Sequence, residues 1–347
     1  MLTKLCRQHY GGGDLADLEH GGNLSQATSI FGEPAQGWVD LSTGINPSPY
    51  PLPPQILAQS ASWQRLPEPD GLEKIATEYY ASPYITALPG SQAAISLLPA
   101  LRRRSRVAIP EPEYAEHARA WQSWGHDVYR IAPRLIANGP SSDFDFDVLV
   151  LSNPNNPTAL LYPPEMLLAW HNRMHHNNGW LIVDEAFADS DPGFSLAPYT
   201  GREGLIVLRS LGKFFGLAGA RVGFLLAPHG IRNRISAFLG PWPLAGPSRQ
   251  IAAAALTDTA WQQEQRASLA SAAERLAEIL NQAGLKVAGK TSLYCWINTD
   301  SARVIQQTLA TRGIWLRGFD HPPGLRLGLP GRDEEWHRLI ESLKIIG

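Results

Sequence analysis

At 347 residues, 44% of them hydrophobic, the chain is long enough to bury a large core and exceeds one average domain. Its 30 basic and 32 acidic residues leave a net charge of −2, which argues against a nucleic-acid or anionic-membrane partner. Cys6 and Cys295 lie far apart, the N-terminus shows no apolar leader, and no run approaches the roughly 18 apolar residues of a membrane span, so a cytoplasmic protein with reduced thiols is expected.

The first 45 residues are polar and glycine-rich. Gly11-Gly12-Gly13 and Gly21-Gly22 are loop signals, and Trp38-Val39-Asp40-Leu41 is the one apolar patch. His20, taken alone, reads as a surface loop histidine. Pro47 to Pro54 is uncharged and carries Tyr50 and Leu52, so it reads as an ordered, extended crossing. Asn46, just before Pro47, is biased to extended backbone. A loop over Leu66–Gly71 leads into a helix from Leu72, and Gly90-Ser91-Gln92 precedes a helical run, Ala93 to Leu101. Strands are expected over Arg106–Ile109 and Asp147–Leu151, followed by the loops Pro110–Tyr114 and Asn153–Thr158. Trp121 and Trp124 lie on the intervening helix and are expected in the core. Pro163 to Asn178 reads as a helix with prolines at its start. His171 and His175 stand four apart on it, a spacing a metal can use. No glutamate of a zincin pattern accompanies them, so together with His176 they read as surface histidines, and no metal site is expected.

Two apolar strands follow. Trp180-Leu181-Ile182-Val183 ends at Asp184. Leu205-Ile206-Val207-Leu208 ends at Arg209-Ser210, with Lys213 just beyond, between Gly212 and Gly216. A lysine there, among glycines and aromatics, is poorly placed as a solubilising charge and well placed as an amine nucleophile. Partial desolvation favours the neutral amine, which alone attacks a carbonyl. The carbonyl that suits it best is the aldehyde of pyridoxal 5'-phosphate (PLP), held as a Schiff base. The ring nitrogen of PLP must stay protonated, so a carboxylate must face it, and Asp184 is placed to do so. The helix start at Ser91 and Gln92 offers backbone N–H groups to a phosphate, and Ser210 and Arg221 add a hydroxyl and a guanidinium.

From about Ile231 the pattern changes. Pro247 to Asn281 is helix-rich, and short strands and helices then alternate, with Arg317 and Arg326 in or beside two of the strands. The periodicity as a whole predicts an α/β fold: a mostly parallel sheet with helices on both faces, ligand at the carboxyl ends, and a smaller α+β domain. The Lys213 loop joins two nearby strands and suggests one antiparallel member.

Asn153-Pro154-Asn155-Asn156-Pro157-Thr158, Asp184-Glu185-Ala186-Phe187, Ser210-Leu211-Gly212-Lys213, Arg221 and Arg326 together resemble the fold-type I PLP-dependent transferases of the aspartate aminotransferase group. Within it the chain is similar to the branch holding histidinol-phosphate aminotransferases and threonine-phosphate decarboxylases. His20-Gly21-Gly22-Asn23 and Leu41 to Pro47 most resemble the decarboxylases of cobalamin biosynthesis. The resemblance implies a catalytic set of Lys213, Asp184 and Tyr114, with Tyr114 stacked on the cofactor ring. It implies cofactor contacts from Ser91, Gln92, Asn156, Ser210 and Arg221. It also implies substrate contacts from His20, Gly21, Gly22, Asn23, Asn46 and Asn156, with Arg317 on the substrate phosphate and Arg326 on its α-carboxylate. The backbone of Gly21 and Gly22 would approach the substrate anion. The implied activity is decarboxylation of L-threonine O-3-phosphate, the alternative being a histidinol-phosphate or related aminotransferase. A homodimer is implied, with domains at 46–235 (PLP-binding) and 236–347 (small), and residues 1–45 joining the small domain as a cap. Three positions depart from the pattern: Leu66 stands where relatives carry a tyrosine that reaches the partner's cofactor, Phe187 replaces a tyrosine beside the ring, and Ala159 replaces a glycine.

Overall fold

The computed structural model describes residues 20–58 and 60–346. Its strands are β1 (Val39–Asp40), β2 (Ile85–Leu88), β3 (Arg106–Pro110), β4 (Asp127–Ile131), β5 (Val148–Ser152), β6 (Trp180–Asp184), β7 (Leu205–Ser210), β8 (Gly223–Leu226), β9 (Val287–Lys290), β10 (Tyr294–Asn298), β11 (Ile314–Trp315), β12 (Arg317–Asp320) and β13 (Pro323–Gly328). The large sheet runs β2-β8-β7-β6-β5-β3-β4, with β8 antiparallel to both neighbours and the other pairings parallel.

The central strands are apolar on both faces because helices cover both faces. Their side chains alternate. Leu149, Leu151, Leu181, Val183 and Val207 pack into one core cluster, and Val148, Val150, Ile182, Ile206 and Leu208 into another. The second cluster is closed by the helices Ser91–Leu97, Ala115–Ser123 and His229–Leu239, through residues such as Ile95, Trp121 and Ile235. The first is closed by Leu72–Tyr80, Pro164–His176 and the long helix Thr259–Gln282, and continues under the small sheet. That sheet is antiparallel, in the order β12-β13-β10-β9. Beside it β1 pairs in parallel with β11, Val39 opposite Ile314 and Asp40 opposite Trp315, which joins the N-terminal segment to the C-terminal third of the chain.

The proline-rich crossing is pinned from one side. Asn46 N–H donates to the Lys213 carbonyl at 3.0 Å, and Tyr50 N–H to that of Phe215 at 2.9 Å. Two expectations need correction. Trp124 is 51% exposed, because it lies just past the end of its helix as the capping residue, and its indole N–H donates to the Ser96 carbonyl. His171 is buried, not superficial: its imidazole meets the Glu203 carbonyl at 2.9 Å, while His175 and His176 are exposed. Cys6 and Gly11–Gly13 lie outside the described residues. Among the described residues no cluster of side chains could hold a metal ion, and no helix is long and apolar enough to cross a membrane.

Candidate active site

Strands β5, β6 and β7 end side by side at Ser152, Asp184 and Ser210, so the loops beyond them share one edge of the sheet. Lys213 emerges from the turn after β7, where Gly212 N–H donates to Ser210 Oγ at 3.2 Å. Its ammonium lies 5.2 Å above the Phe187 ring and 3.5 Å from the Thr43 carbonyl. Burial, helped by the positive charges of Arg326 and Arg221 and opposed by Asp184, lowers its pKa to about 8.

Asp184 is buried. One carboxylate oxygen accepts the Ala186 N–H at 3.0 Å, and the other meets His117 Nε2 at 3.1 Å. Burial disfavours the charged imidazole of His117. The hydrogen bond and charge of Asp184, with Glu113 and Glu116 nearby, outweigh it and hold the pKa above the usual histidine range. His117 is missing from the residues expected from sequence. The signal was its place one helical turn after Tyr114, which puts both on the face turned to Asp184. Tyr114 crosses His117 edge-on at 5.8 Å and donates a long hydrogen bond, 3.4 Å, to Gln92 Oε1. Burial and the charges of Glu116 and Asp184 push its pKa up to about 12, so it stays a neutral phenol. Glu113 was also missed. Its buried carboxylate takes N–H groups from Tyr114 and Ser152, both at 2.7 Å, and from Asn155 at 3.1 Å, tying the loops after β3 and β5 together.

The proposed phosphate donors converge because two glycines leave room. A Cβ on Gly223 would stand 2.4 Å from the Ser91 nitrogen, and one on Gly90 would stand 2.8 Å from the Arg221 guanidinium. Ser210 lies opposite Gly223 in the ladder, so the helix start at Ser91, the Ser210 hydroxyl and Arg221 border one small space. A cradle of N–H, hydroxyl and guanidinium, an acid on the next strand and a partly deprotonated lysine between them fit PLP.

A cleft of about 580 Å³ opens in front of Lys213 and is lined by His20, Gly21, Tyr114, Asn156, Arg317 and Arg326, among others. Arg317 and Arg326 are direct neighbours across β12 and β13. Arg326 is buried and donates to Asn156 Oδ1 and the Ser42 carbonyl, while its Nε–H has no partner among the described residues. Burial and Arg317 lower its pKa to about 10, so it remains a cation at neutral pH. The rim carries the ion pairs Arg130–Glu111 and Arg303–Asp320, which the sequence did not single out.

Other expected residues have their polar groups committed within the protein. Asn23 caps the helix Leu24–Phe31, accepting the Gln26 N–H. Asn46 is buried and committed to Phe214, Ser48 and Gln265. Gly22 gives its N–H to Ser42 Oγ at 2.7 Å, so that group is not offered to an anion. Gln92 spends its amide on Glu116 and Tyr114. His20, half exposed, meets Glu116 at 3.0 Å. Leu66 is 61% exposed. Phe187 packs edge-on against Tyr294, whose hydroxyl is given to the Asn155 carbonyl and so does not replace the phenol that Phe187 lacks. Ala159 adopts φ 61°, the left-handed conformation that suits the glycine it replaces.

Residues 53–343 match the family of class I and II aminotransferases. The chain is 46% identical to a threonine-phosphate decarboxylase from Pseudomonas aeruginosa, covering 94% of this chain and 97% of that protein. It is 37% identical to a threonine-phosphate decarboxylase from Sinorhizobium sp., at 94% and 98% coverage. Its fold is similar to that of histidinol-phosphate aminotransferase from Sinorhizobium meliloti, solved with pyridoxal-5'-phosphate, with a TM-score of 0.78, 19% identity, and coverage of 96% and 99%. The chain belongs to the class I and II aminotransferase family, on the branch that holds the threonine-phosphate decarboxylases.

Proposed function

We infer that the protein is a PLP-dependent carboxy-lyase converting L-threonine O-3-phosphate to (R)-1-amino-2-propanol O-2-phosphate and CO₂, a step of cobalamin biosynthesis. The observation that carries this reading is one cleft that presents Lys213 together with two neighbouring arginines, in a chain 46% identical to such a decarboxylase. When bound, PLP supplies the aldehyde that takes the substrate amine and the electron sink that accepts a bond pair from Cα. Asp184, held by His117, would face the ring nitrogen and keep it protonated. Tyr114 would pack against the ring, and the Ser91 helix start, Ser210 and Arg221 would hold the phosphate. Arg326 receives the substrate carboxylate and Arg317, with His20 nearby, the substrate phosphate. Anchoring both ends would fix the torsion about Cα and so select which of its bonds gives up its pair. Loss of the carboxylate as CO₂ would leave its bond pair with Cα, and Lys213 Nζ or water would return a proton there. Release of CO₂ from threonine phosphate without a keto-acid acceptor tests the assignment, and turnover that requires 2-oxoglutarate contradicts it.

A homodimer forms part of the same reading. Leu52, Trp63, Leu66 and Trp242 are large apolar side chains, each at least 45% exposed. The short helices Pro54–Leu57 and Ser60–Gln64 pack on helix Gly246–Thr257, and the exposed Leu52, Trp63 and Leu66 nearby in sequence are the side chains a second copy would cover.

A further inference from the structure

The glycine pair at 21–22 raises a question that the phosphate reading leaves open, since the Gly22 N–H is already spent. Gly21 faces backbone: a Cβ there would lie 2.3 Å from the Ser42 carbonyl oxygen and 2.8 Å from its carbon. Neither atom can swing aside as a side chain does. Ser42 is fully buried and held on every side. Its hydroxyl accepts from Gly22 N–H at 2.7 Å and donates to Asp40 Oδ1 at 2.6 Å, and its own N–H meets the same oxygen at 2.9 Å. Asp40 belongs to β1, which is locked to β11. The Ser42 carbonyl, so fixed, accepts Arg326 Nη2 at 2.5 Å, while Nη1 is taken by Asn156. The next carbonyl, that of Thr43, lies 3.5 Å from Lys213 Nζ.

We propose that Gly21 and Ser42 are positioning residues: the turn at 20–22 braces the Ser42 carbonyl, and the carbonyl aims the Arg326 guanidinium at the substrate carboxylate. The proposal rests on the decarboxylase reading and adds to it a source for the bond choice. Only glycine lets the turn approach Ser42 so closely. A Cβ at position 21 pushes the carbonyl away, turns the guanidinium and loosens the carboxylate torsion, and Arg317, on the neighbouring strand, keeps its grip on the phosphate.

The test compares holoprotein variants Gly21→Ala and Ser42→Ala with wild type. Two quantities are read: conversion of bound cofactor to its amine form per CO₂ released, followed by absorbance, and affinity for 1-amino-2-propanol O-2-phosphate, which keeps the amine and phosphate but lacks the carboxylate. The brace predicts a partition shifted toward the amine form by tenfold or more, with affinity for the amine phosphate changed less than twofold. An unchanged partition, or equal losses for threonine phosphate and amine phosphate, overturns it. Should Gly21→Ala fail to fold, Ser42→Ala, which removes only a hydroxyl, carries the same measurement. If wild type releases no CO₂, the decarboxylase assignment falls. The brace is then decided by L-glutamate against the amine phosphate: selective weakening of glutamate in the variants supports it, and equal or absent weakening overturns it.

Discussion

At the scale of single residues, the unusual property is a lysine whose neutral form is within reach near neutral pH. With its pKa lowered to about 8, Lys213 in the cofactor-free protein should take up PLP at a rate that climbs with pH through a midpoint near 8. Borohydride should then bleach the visible band and leave the reduced cofactor on Lys213 by peptide mapping. Label on another lysine contradicts the site. Arg317→Ala should lose about ten- to hundredfold in kcat/KM for threonine phosphate, the equivalent of one charge-assisted contact of about 1.5–3 kcal/mol, while PLP affinity stays near wild type. An unchanged kcat/KM places the phosphate elsewhere. His117 gives a pH signature of its own. Its folded pKa is raised, so the stability it draws from Asp184 is fully present below about pH 6.5 and is lost as pH rises through the higher folded value. His117→Gln should therefore cost more stability at pH 6 than at pH 9, as read by urea unfolding, and an equal cost at both would contradict the charged pair.

At the scale of elements, the site exists because strand ends and a helix start approach within backbone contact. Gly223 is the tightest of these junctions: its added Cβ would meet the nitrogen of Ser91, the carbonyl carbon of Gly90 at 2.7 Å and the Arg209 oxygen at 2.9 Å, all backbone. Gly223→Ala should lower stability by about 1–3 kcal/mol and displace the Ser91 helix start. Thermal unfolding and a PLP titration would report it together, and a variant with wild-type values of both would show that the cradle is not formed there. Beneath this edge, Arg209 pairs with Glu185 at 2.6 Å and also with Asp189, all buried. Arg209 precedes Ser210 and Glu185 follows Asp184, so their pairing ties the end of β6 to the end of β7.

At the scale of the whole molecule, the cleft lies between the large sheet and the small one. Lys213 comes from the loop after β7, Arg317 and Arg326 from β12 and β13, and the segment through Ser42 and Thr43 touches both sides. The exposed apolar side chains Trp63, Leu66 and Trp242 lead to the fifth expectation: sedimentation at micromolar concentration should find a two-fold dimer, and Trp63→Asp should shift it toward monomer. A wild-type monomer with full activity would contradict this.

Local pattern determined much of this protein. Apolar runs ending in Asp184 and Ser210 marked β6 and β7, because strands buried on both faces admit little else, and the turn residues around Lys213 marked the antiparallel return into β8. Lys213, Asp184 and Arg221 could be proposed from sequence because their chemistry depends on residue type and on a place beside a strand. Tertiary structure alone decided the rest. The sequence contains no cue that Asn46 is buried among Phe214, Ser48 and Gln265, or that His171 finds the Glu203 carbonyl. Nor does it show that Gly21 lies against Ser42, and Ser42 against Arg326, 284 residues further on. Periodicity reports which face of an element is buried. The partner a polar atom meets there is settled by the packing of distant segments, and only the folded chain brings those together.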